Sequence, residues 1–342
     1  MSGNVAVRAG RWLTSRLYRR AEHPQLIVLP DKDAPELVAD ESYIRVSLSE
    51  FWLGTGRSWG FDRKPVVQAA AHVLFGKPDK RVPGATVLER QTFAVLVRPS
   101  AGQGVFRDYR ITEWLPYRGQ SVELEAALYS VLGRNRLLTA VDVISGFAPL
   151  VTPPVSAALA VADRVAAGIE KAVKANDAEP RLPLHTGLTA PGWVVVADAP
   201  ASKLPSGELS VDSAGQLCRN GLPLTGCDYL VLRVEACRER KDWRTPDLDL
   251  AIAAALNARD NDGAKKVYKR LYDEALSRIY LSPDFTSSQR KKVAKVVKEE
   301  LDDSSYGAAG DVDVTLAKII SRRGLPSDEE AEFLTLDELI AE

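Results

Sequence analysis

Three glycines in the segment GTGRSWG form the nearest approach in this sequence to a nucleotide-binding motif. Gly54, Gly56 and Gly60 follow a strand-like run, as the glycines of a dinucleotide-binding loop do. Such a loop has the spacing G-x-G-x-x-G and opens a helix whose N-terminus binds a phosphate. Here the spacing is G-x-G-x-x-x-G, and FDRKP, with its Pro65, stands where the helix should open. The segment therefore predicts a tight β-turn, and no cofactor is predicted.

The segment ACRERKDWR brings several charged residues together. Arg238, Arg240 and Arg244 are interspersed with Glu239 and Asp242. Guanidinium groups bind phosphates and carboxylates through paired hydrogen bonds, so the segment could clamp an anion. A ladder of ion pairs facing solvent is the commoner outcome for such a run.

Histidines and cysteines show no metal-ligand spacing. His23, His72 and His185 are far apart, so each is predicted to be a structural or surface residue, although the fold could bring them together. The cysteines are odd in number and include no C-x-x-C pair, which argues against a disulfide framework and favours a reducing compartment. They are Cys218, Cys227 and Cys237. Because no established catalytic motif is present either, no catalytic residue and no metal site are predicted.

Charge is unevenly distributed in the C-terminal part of the chain. Residues 264–298 carry ten cations and three anions, whereas residues 299–342 carry thirteen acids and three cations. A basic helical surface beside an acidic tail could be a nucleic-acid surface shielded in cis, a partner-docking face, or ordinary solvated helices. The predicted partner-binding residues are Lys291, Lys292, Lys295, Lys298, Phe333, Leu336, Leu339 and Ile340.

The tail segment SDEEAEFLTLDELIAE combines acids with large apolar residues. Thr335 and Glu338 form a capping box for one short helix. A helix of this length is marginal alone in water, so its leucines need a surface, either the chain's own basic helices or a partner protein. A disordered, solvating tail is the alternative.

Residues 143–162 contain no charge, which raises the question of a membrane segment. Prolines interrupt the run near its middle, and Asp163 and Arg164 follow it, so neither piece supplies the ~20 apolar residues that a spanning helix needs. The favoured interpretation is an apolar helical hairpin over residues 135–178, packed inside the protein. Insertion into a membrane after a conformational change is the alternative.

Strand patterns dominate the first part of the chain. Ile44, Val46 and Leu48 alternate with polar residues, which is typical of a half-buried strand. Short connections between such segments predict a β-rich, antiparallel domain over residues 24–118. The segments KPVVQAAAHVLFG and SVELEAALYSVLG could each be helix or strand. Further along, Asn220-Gly221 predicts a type I′ hairpin.

An α+β fold is therefore predicted, with a helical C-terminal region whose first helix begins at Thr245 as N-cap and Pro246 as first residue. The predicted divisions are a β-rich domain (1–134), the apolar helical hairpin (135–178), a β meander with the Asn-Gly hairpin (179–244), a helical region (245–324) and an acidic amphipathic tail (325–342).

The absence of established catalytic motifs favours a non-enzymatic role. The net charge of −1 gives no global electrostatic case for nucleic acid, and no binding motif supports one. The predicted function is an interaction or scaffolding component of a cytoplasmic protein assembly, with another protein as its partner and an undefined oligomeric state. Two alternatives stay open: a membrane-active effector that inserts residues 137–173, and an enzyme whose site is dispersed and lacks a motif.

Overall fold

The computed structural model divides the chain into two units. One, the β unit, comprises Met1–Phe75 and Leu88–Arg238, and the other, the helical unit, comprises Gly76–Val87 and Glu239–Glu342. The fold is α+β, as predicted. The structure describes residues 23–53, 57–58, 61–78, 86–97, 103–132, 166–169, 179–204, 208–259 and 265–302.

The described part of the β unit is built from antiparallel strands. Two sheets and a small three-stranded meander account for them: the first sheet has the order β1-β10-β14-β2-β6 with β7 beside β2, the second has the order β3-β4-β8-β9 with β5 beside β4, and the meander is β11-β12-β13. The strands are β1 (Pro24–Pro30), β2 (Tyr43–Trp52), β3 (Arg57–Ser58), β4 (Phe61–Pro78), β5 (Thr86–Val97), β6 (Gln103–Arg110), β7 (Leu115–Pro116), β8 (Val122–Leu132), β9 (Glu179–Leu188), β10 (Gly192–Asp198), β11 (Leu209–Val211), β12 (Leu217–Arg219), β13 (Leu222–Pro223) and β14 (Tyr229–Cys237).

Both large sheets contribute to one hydrophobic core, so the β unit is a sandwich. Ile44, Val46 and Leu48 of β2 are all buried in that core, as their alternation predicts. The strand is more than half-buried, because Ser47 and Ser49 are buried as well. The two ambiguous segments are the strands β4 and β8, which pair with each other in register from Arg63 to His72.

Strands that are far apart along the chain are neighbours in the first sheet. Strands β10 and β14, from the segment 179–244, lie between β1 and β2 of the first sheet. That segment therefore completes the N-terminal sandwich, because neighbours in a sheet can be far apart along the chain. Leu26 and Val28 of the edge strand β1 are each 49% exposed.

A β-bulge interrupts the pairing of β2 with β14. Leu48 lies opposite Leu232 and Glu50 lies opposite Val231, so Ser49 has no register partner on β14. One extra residue resets the alternation of side chains between the faces of the sheet. Glu50 can therefore remain on the outer face, which is the face turned away from the sandwich core.

The Asn-Gly turn has the predicted geometry. Asn220 and Gly221 adopt φ angles of 51° and 77°, and Arg219 pairs with Leu222 while Cys218 pairs with Pro223. Positive φ at both central residues is the signature of a type I′ turn, whose twist matches that of the flanking strands.

We expect Gly221→Val to destabilise the β unit by about 1–3 kcal/mol, because a β-branched residue is strained at this φ. An added Cβ would meet no atom within 4 Å, so backbone strain alone should account for the loss. Gly221→Asn is the matched control, since asparagine tolerates positive φ. Thermal unfolding of the two variants measures the difference, and equal melting temperatures would contradict the assignment of the turn.

The described part of the helical unit contains α1 (Pro246–Arg259), α2 (Lys265–Leu281) and α3 (Ser287–Asp302). Helix α1 begins where the sequence predicted, because the Thr245 hydroxyl oxygen accepts a hydrogen bond from the Leu248 N–H at 3.4 Å. Apolar side chains of all three helices form a separate core.

The predicted helical hairpin lies largely outside the described residues. Only residues 166–169 of it are described, and they are helical. Among the described residues, no helix combines the length and the apolar character needed to cross a membrane. The acidic tail lies outside the described residues as well.

Candidate ligand-binding cleft

The outer face of the first sheet has an apolar half and a polar half. The meander covers the apolar half, where Val195, Tyr229 and Val231 pack with Leu217 of the meander. The polar half forms the floor of an open cleft of about 770 Å³. The turn between β11 and β12 lines this cleft, and so does the loop that follows β1.

Strand register explains which side chains meet on the cleft floor. Arg45 of β2 lies opposite Glu235 of β14, and Ser47 lies opposite Arg233. Arg233 in turn lies opposite Trp193 of β10. Because side chains at paired positions share one face of a sheet, these residues form one contiguous patch.

Two arginines, two tryptophans and a glutamate form a continuous row, here called the Trp–Arg ladder. The Arg45 guanidinium donates to both carboxylate oxygens of Glu235, from Nε at 2.9 Å and from Nη2 at 3.1 Å. Its Cζ lies 4.7 Å from the ring centroid of Trp114. At the other end of the row, Arg233 Nη1 lies 3.2 Å from Glu235 Oε1. Arg233 Cζ lies 5.1 Å from the ring centroid of Trp193.

The ladder is held in place by several weak to moderate interactions that act together. Each cation–π contact contributes about 0.5–2 kcal/mol, depending on how far the pair is shielded from water. Arg45 and Glu235 are 14% and 15% exposed, so their two parallel hydrogen bonds are largely shielded. A third carboxylate, Asp31, accepts from Arg233 Nη2 at 3.2 Å. The cleft therefore presents a preorganised surface.

The charges of the cleft do not cancel. Its lining includes four carboxylates and two guanidinium groups. Asp31 and Glu235 are paired with the arginines, whereas Asp33 and Asp212 are exposed and form no ion pair with another described residue. One oxygen of Asp212 accepts the Ala214 and Gln216 backbone N–H groups, each at 2.9 Å, which fixes its position at the rim.

Glu50 lies beneath the meander, next to the cleft, and its side chain is fully buried. One carboxylate oxygen accepts the Leu217 N–H at 2.5 Å, and the other accepts the Tyr229 hydroxyl at 2.9 Å. Burial raises the pKa of Tyr229 far above its ordinary value, and the neighbouring Glu50 charge raises it further. Glu50 therefore joins the sheet to the meander that forms one wall of the cleft.

A second polar cluster lies on the other sheet, where two of the three histidines meet. His72 Nε2 lies 3.4 Å from one oxygen of Glu125, and His185 Nδ1 lies 3.3 Å from the other. His72 Nδ1 also hydrogen-bonds the Thr92 hydroxyl at 2.9 Å. His72 is buried, whereas His185 is exposed, so Glu125 connects an interior imidazole with one at the surface.

Burial acts to raise the pKa of Glu125. The hydrogen bond and the charge of His72 act against burial, with smaller contributions from His185 and Arg90, and the net pKa is below its ordinary value. A carboxyl group with a depressed pKa in the folded state stabilises the fold above its unfolded pKa, about 4.3 for glutamate. That stabilisation is lost as the pH falls through the folded pKa.

We therefore expect Glu125→Gln to be less stable than the wild type at neutral pH, with a difference that shrinks as the pH falls below about 4.3. Urea unfolding between pH 7 and pH 3 measures this difference. The His185→Gln variant keeps the contact between His72 and Glu125, so it should lose only part of the stabilisation that Glu125 provides at neutral pH. If the wild type instead became increasingly more stable than the variant towards acid pH, the lowered pKa of Glu125 would be wrong.

No disulfide joins the three cysteines. Burial raises the pKa of Cys218, and the charges of Asp212 and Glu50 raise it further. Burial likewise raises the pKa of Cys227. A raised pKa lowers the fraction of thiolate, which is the nucleophilic form, so neither thiol is activated for chemistry.

The predicted partner-binding lysines lie on α3, where Lys291, Lys295 and Lys298 are half-buried. Lys292 differs from the predicted surface position, because it is only 2% exposed and pairs with Glu239 within the helical unit. Its long side chain packs into that unit while its ammonium group finds a carboxylate. The predicted tail residues Phe333, Leu336, Leu339 and Ile340 lie outside the described residues.

Exposed basic charge lies instead on the first half of α2. Four of the ten cations counted in the sequence are exposed there: Lys265, Lys266, Lys269 and Arg270. Their position near a helix N-terminus is unfavourable for cations.

The arginine-rich segment ACRERKDWR forms solvent-facing ion pairs only in part, because one of its arginines is buried. Arg240 is 1% exposed and donates to the side chain and the backbone carbonyl of Asp242. Arg238, by contrast, is exposed and pairs with Glu41. The arginines that form a candidate site are Arg45 and Arg233, which the sequence did not single out.

No protein-family model matches the chain, and no curated protein matches it either. The function proposed below therefore rests on the geometry of the chain itself.

Proposed function

We propose that the chain is a non-enzymatic binding component of a protein assembly and that it recognises its partner protein through the cleft of the β unit. The observation that carries this proposal is the Trp–Arg ladder on the cleft floor. Tryptophan and arginine are the residue types most enriched among interface residues that contribute most to binding. Here neighbouring carboxylates hold the two arginines, and each arginine contacts one tryptophan ring. Fixing these side chains in advance lowers the entropy lost when a partner binds.

The charged groups of the ladder are paired with one another, an arrangement suited to orienting a bound molecule. Guanidinium and carboxylate groups present fixed hydrogen-bonding edges, while the tryptophan rings supply apolar area. Such a mixture of aromatic and polar side chains is typical of a protein-binding surface.

A site-specific photo-crosslinker tests where the partner binds. Ser213 lies exposed on the rim of the cleft, so a photoreactive residue at this position should capture the partner in the native host. The matched position is Lys291 on α3, within the surface predicted from the sequence. We expect one protein, identified by mass spectrometry, to be captured from position 213 and not from position 291.

Capture of this protein should depend on the Trp–Arg ladder. Combining the crosslinker at position 213 with Arg233→Ala removes one cation–π contact and two ion pairs, and should abolish the capture. Capture from position 291 alone would overturn the proposal in favour of the α3 surface. Capture at position 213 that survives Arg233→Ala would show that the ladder plays no part in binding.

A further inference from the structure

We infer that the segment which occupies the cleft is a basic peptide bearing arginine side chains. This inference rests on the proposed function and names the chemistry of its partner. It follows from the charge of the cleft, which has two carboxylates in excess of its guanidinium groups.

The two carboxylates in excess line the cleft from two different segments of the chain. Asp33 lies on the loop after β1 and Asp212 on the turn after β11, so they face the cleft from different segments of its rim. Both are exposed, so neither has been desolvated in advance by the fold. A cationic group that enters the cleft gains attraction from both carboxylates, and this attraction also speeds encounter.

The guanidinium groups already in the cleft do not reverse this preference, because their charges are matched. Arg45 is paired with Glu235 through two hydrogen bonds, and Arg233 is paired with Asp31. An acidic peptide would have to displace these carboxylates and would also meet the charges of Asp33 and Asp212. A basic peptide leaves the existing pairs intact.

Arginine fits the cleft better than lysine does. A guanidinium group is planar, forms paired hydrogen bonds with carboxylates and stacks on aromatic rings, whereas an ammonium group is a compact, strongly hydrated point charge. The cleft contains two built examples of the guanidinium arrangement, since Arg45 and Arg233 each combine a carboxylate partner with a tryptophan ring.

The test measures binding of labelled hexa-arginine, hexalysine and hexaglutamate peptides to the full chain by fluorescence anisotropy at low salt. We expect hexa-arginine to bind more tightly than hexalysine, and hexaglutamate to show no binding. The Asp33→Asn, Asp212→Asn double variant should weaken hexa-arginine binding by about tenfold or more, because it removes both rim charges. Asparagine keeps the oxygen that accepts the Ala214 and Gln216 N–H groups, so the turn should be preserved.

A charge-matched control separates the cleft from general attraction between the chain and the peptide. Glu41→Gln with Glu113→Gln removes the same number of charges from the β unit at positions that do not line the cleft, and should leave the affinity within about twofold. Equal losses in both double variants would overturn the inference. Tighter binding of hexaglutamate, or equal affinity for hexa-arginine and hexalysine, would overturn it as well.

The result is distinguishable from a failure of the proposed function. If position 213 captures a partner but hexa-arginine does not bind, the cleft is an interface and only the assigned ligand chemistry is wrong. If hexa-arginine binds only after residues 1–22 are removed, the five arginines of that segment occupy the cleft. That outcome would overturn the assignment to a partner's peptide.

Discussion

Replacing Glu50 by alanine is expected to destabilise the β unit by about 3–5 kcal/mol, with a fall in melting temperature of roughly 10 °C. The substitution removes the acceptor of two buried donors, the Leu217 N–H and the Tyr229 hydroxyl. Each donor left without a partner costs about 1–3 kcal/mol, and the missing side chain also leaves a cavity. Differential scanning calorimetry of the full chain measures the loss.

Glu50→Gln is the informative control for this prediction. Glutamine keeps the volume, and its single oxygen can still accept the Leu217 N–H. Its amide group can then donate to the Tyr229 oxygen, while the Tyr229 hydroxyl donates to the Leu224 carbonyl, at present 3.3 Å away. We therefore expect a loss of about 1 kcal/mol, in keeping with exchanged rather than missing hydrogen bonds. A glutamine variant as unstable as the alanine variant would show that the negative charge itself is required.

Arg240→Ala is expected to destabilise the helical unit by about 3–5 kcal/mol, because it removes a large, fully buried side chain and its hydrogen bonds. The guanidinium group donates to the backbone carbonyls of Asp242 and Asp284, at 3.1 Å and 3.5 Å. Those carbonyls would lose a donor inside the protein. Hydrogen exchange of the backbone amides in peptides that span α3 measures this loss of stability and should become faster. Helix α3 reports on position 240 because the Gln289 side chain accepts the Arg240 N–H and donates to the Arg240 carbonyl.

Arg238→Ala provides a matched comparison two residues earlier in the chain. Arg238 is exposed and its ion pair with Glu41 is exposed too, so its removal should change stability by no more than about 1 kcal/mol. The loss of stability in Arg240→Lys should lie between those of the two alanine variants, because lysine keeps the charge but lacks the planar fork of donors. Similar exchange rates for the alanine variants at positions 238 and 240 would contradict the structural role of Arg240.

Local signals in the sequence predicted local structure well. The Asn220-Gly221 turn and the start of α1 at Pro246 depend on a few neighbouring residues, so their patterns suffice. Strand β2 was predicted from its alternation for the same reason. Strands β4 and β8 were ambiguous because continuous apolar runs suit a buried strand and a buried helix equally.

The cleft could not be predicted because its parts come from distant segments. Trp114 and Trp193 belong to one ladder only because β10, β14 and β2 are neighbours in the sheet. The sequence did contain a weak signal of a shared polar face, since Arg233 and Glu235 alternate with apolar residues in one strand, as Arg45 and Ser47 do in another. Likewise, His72 and His185 meet only through Glu125 on the strand between theirs.

The bulge in β2 also determines where the length of this strand can change. Deleting Ser49 would leave Leu48 opposite Leu232 and Glu50 opposite Val231, so every other side chain would keep its face. Deleting Ser47 would instead turn the preceding residues over and place Val46 on the outer face. A deletion that would invert part of the strand elsewhere is thus compatible with the sheet at Ser49, and a family descended from this chain could lose a residue there without losing the sandwich.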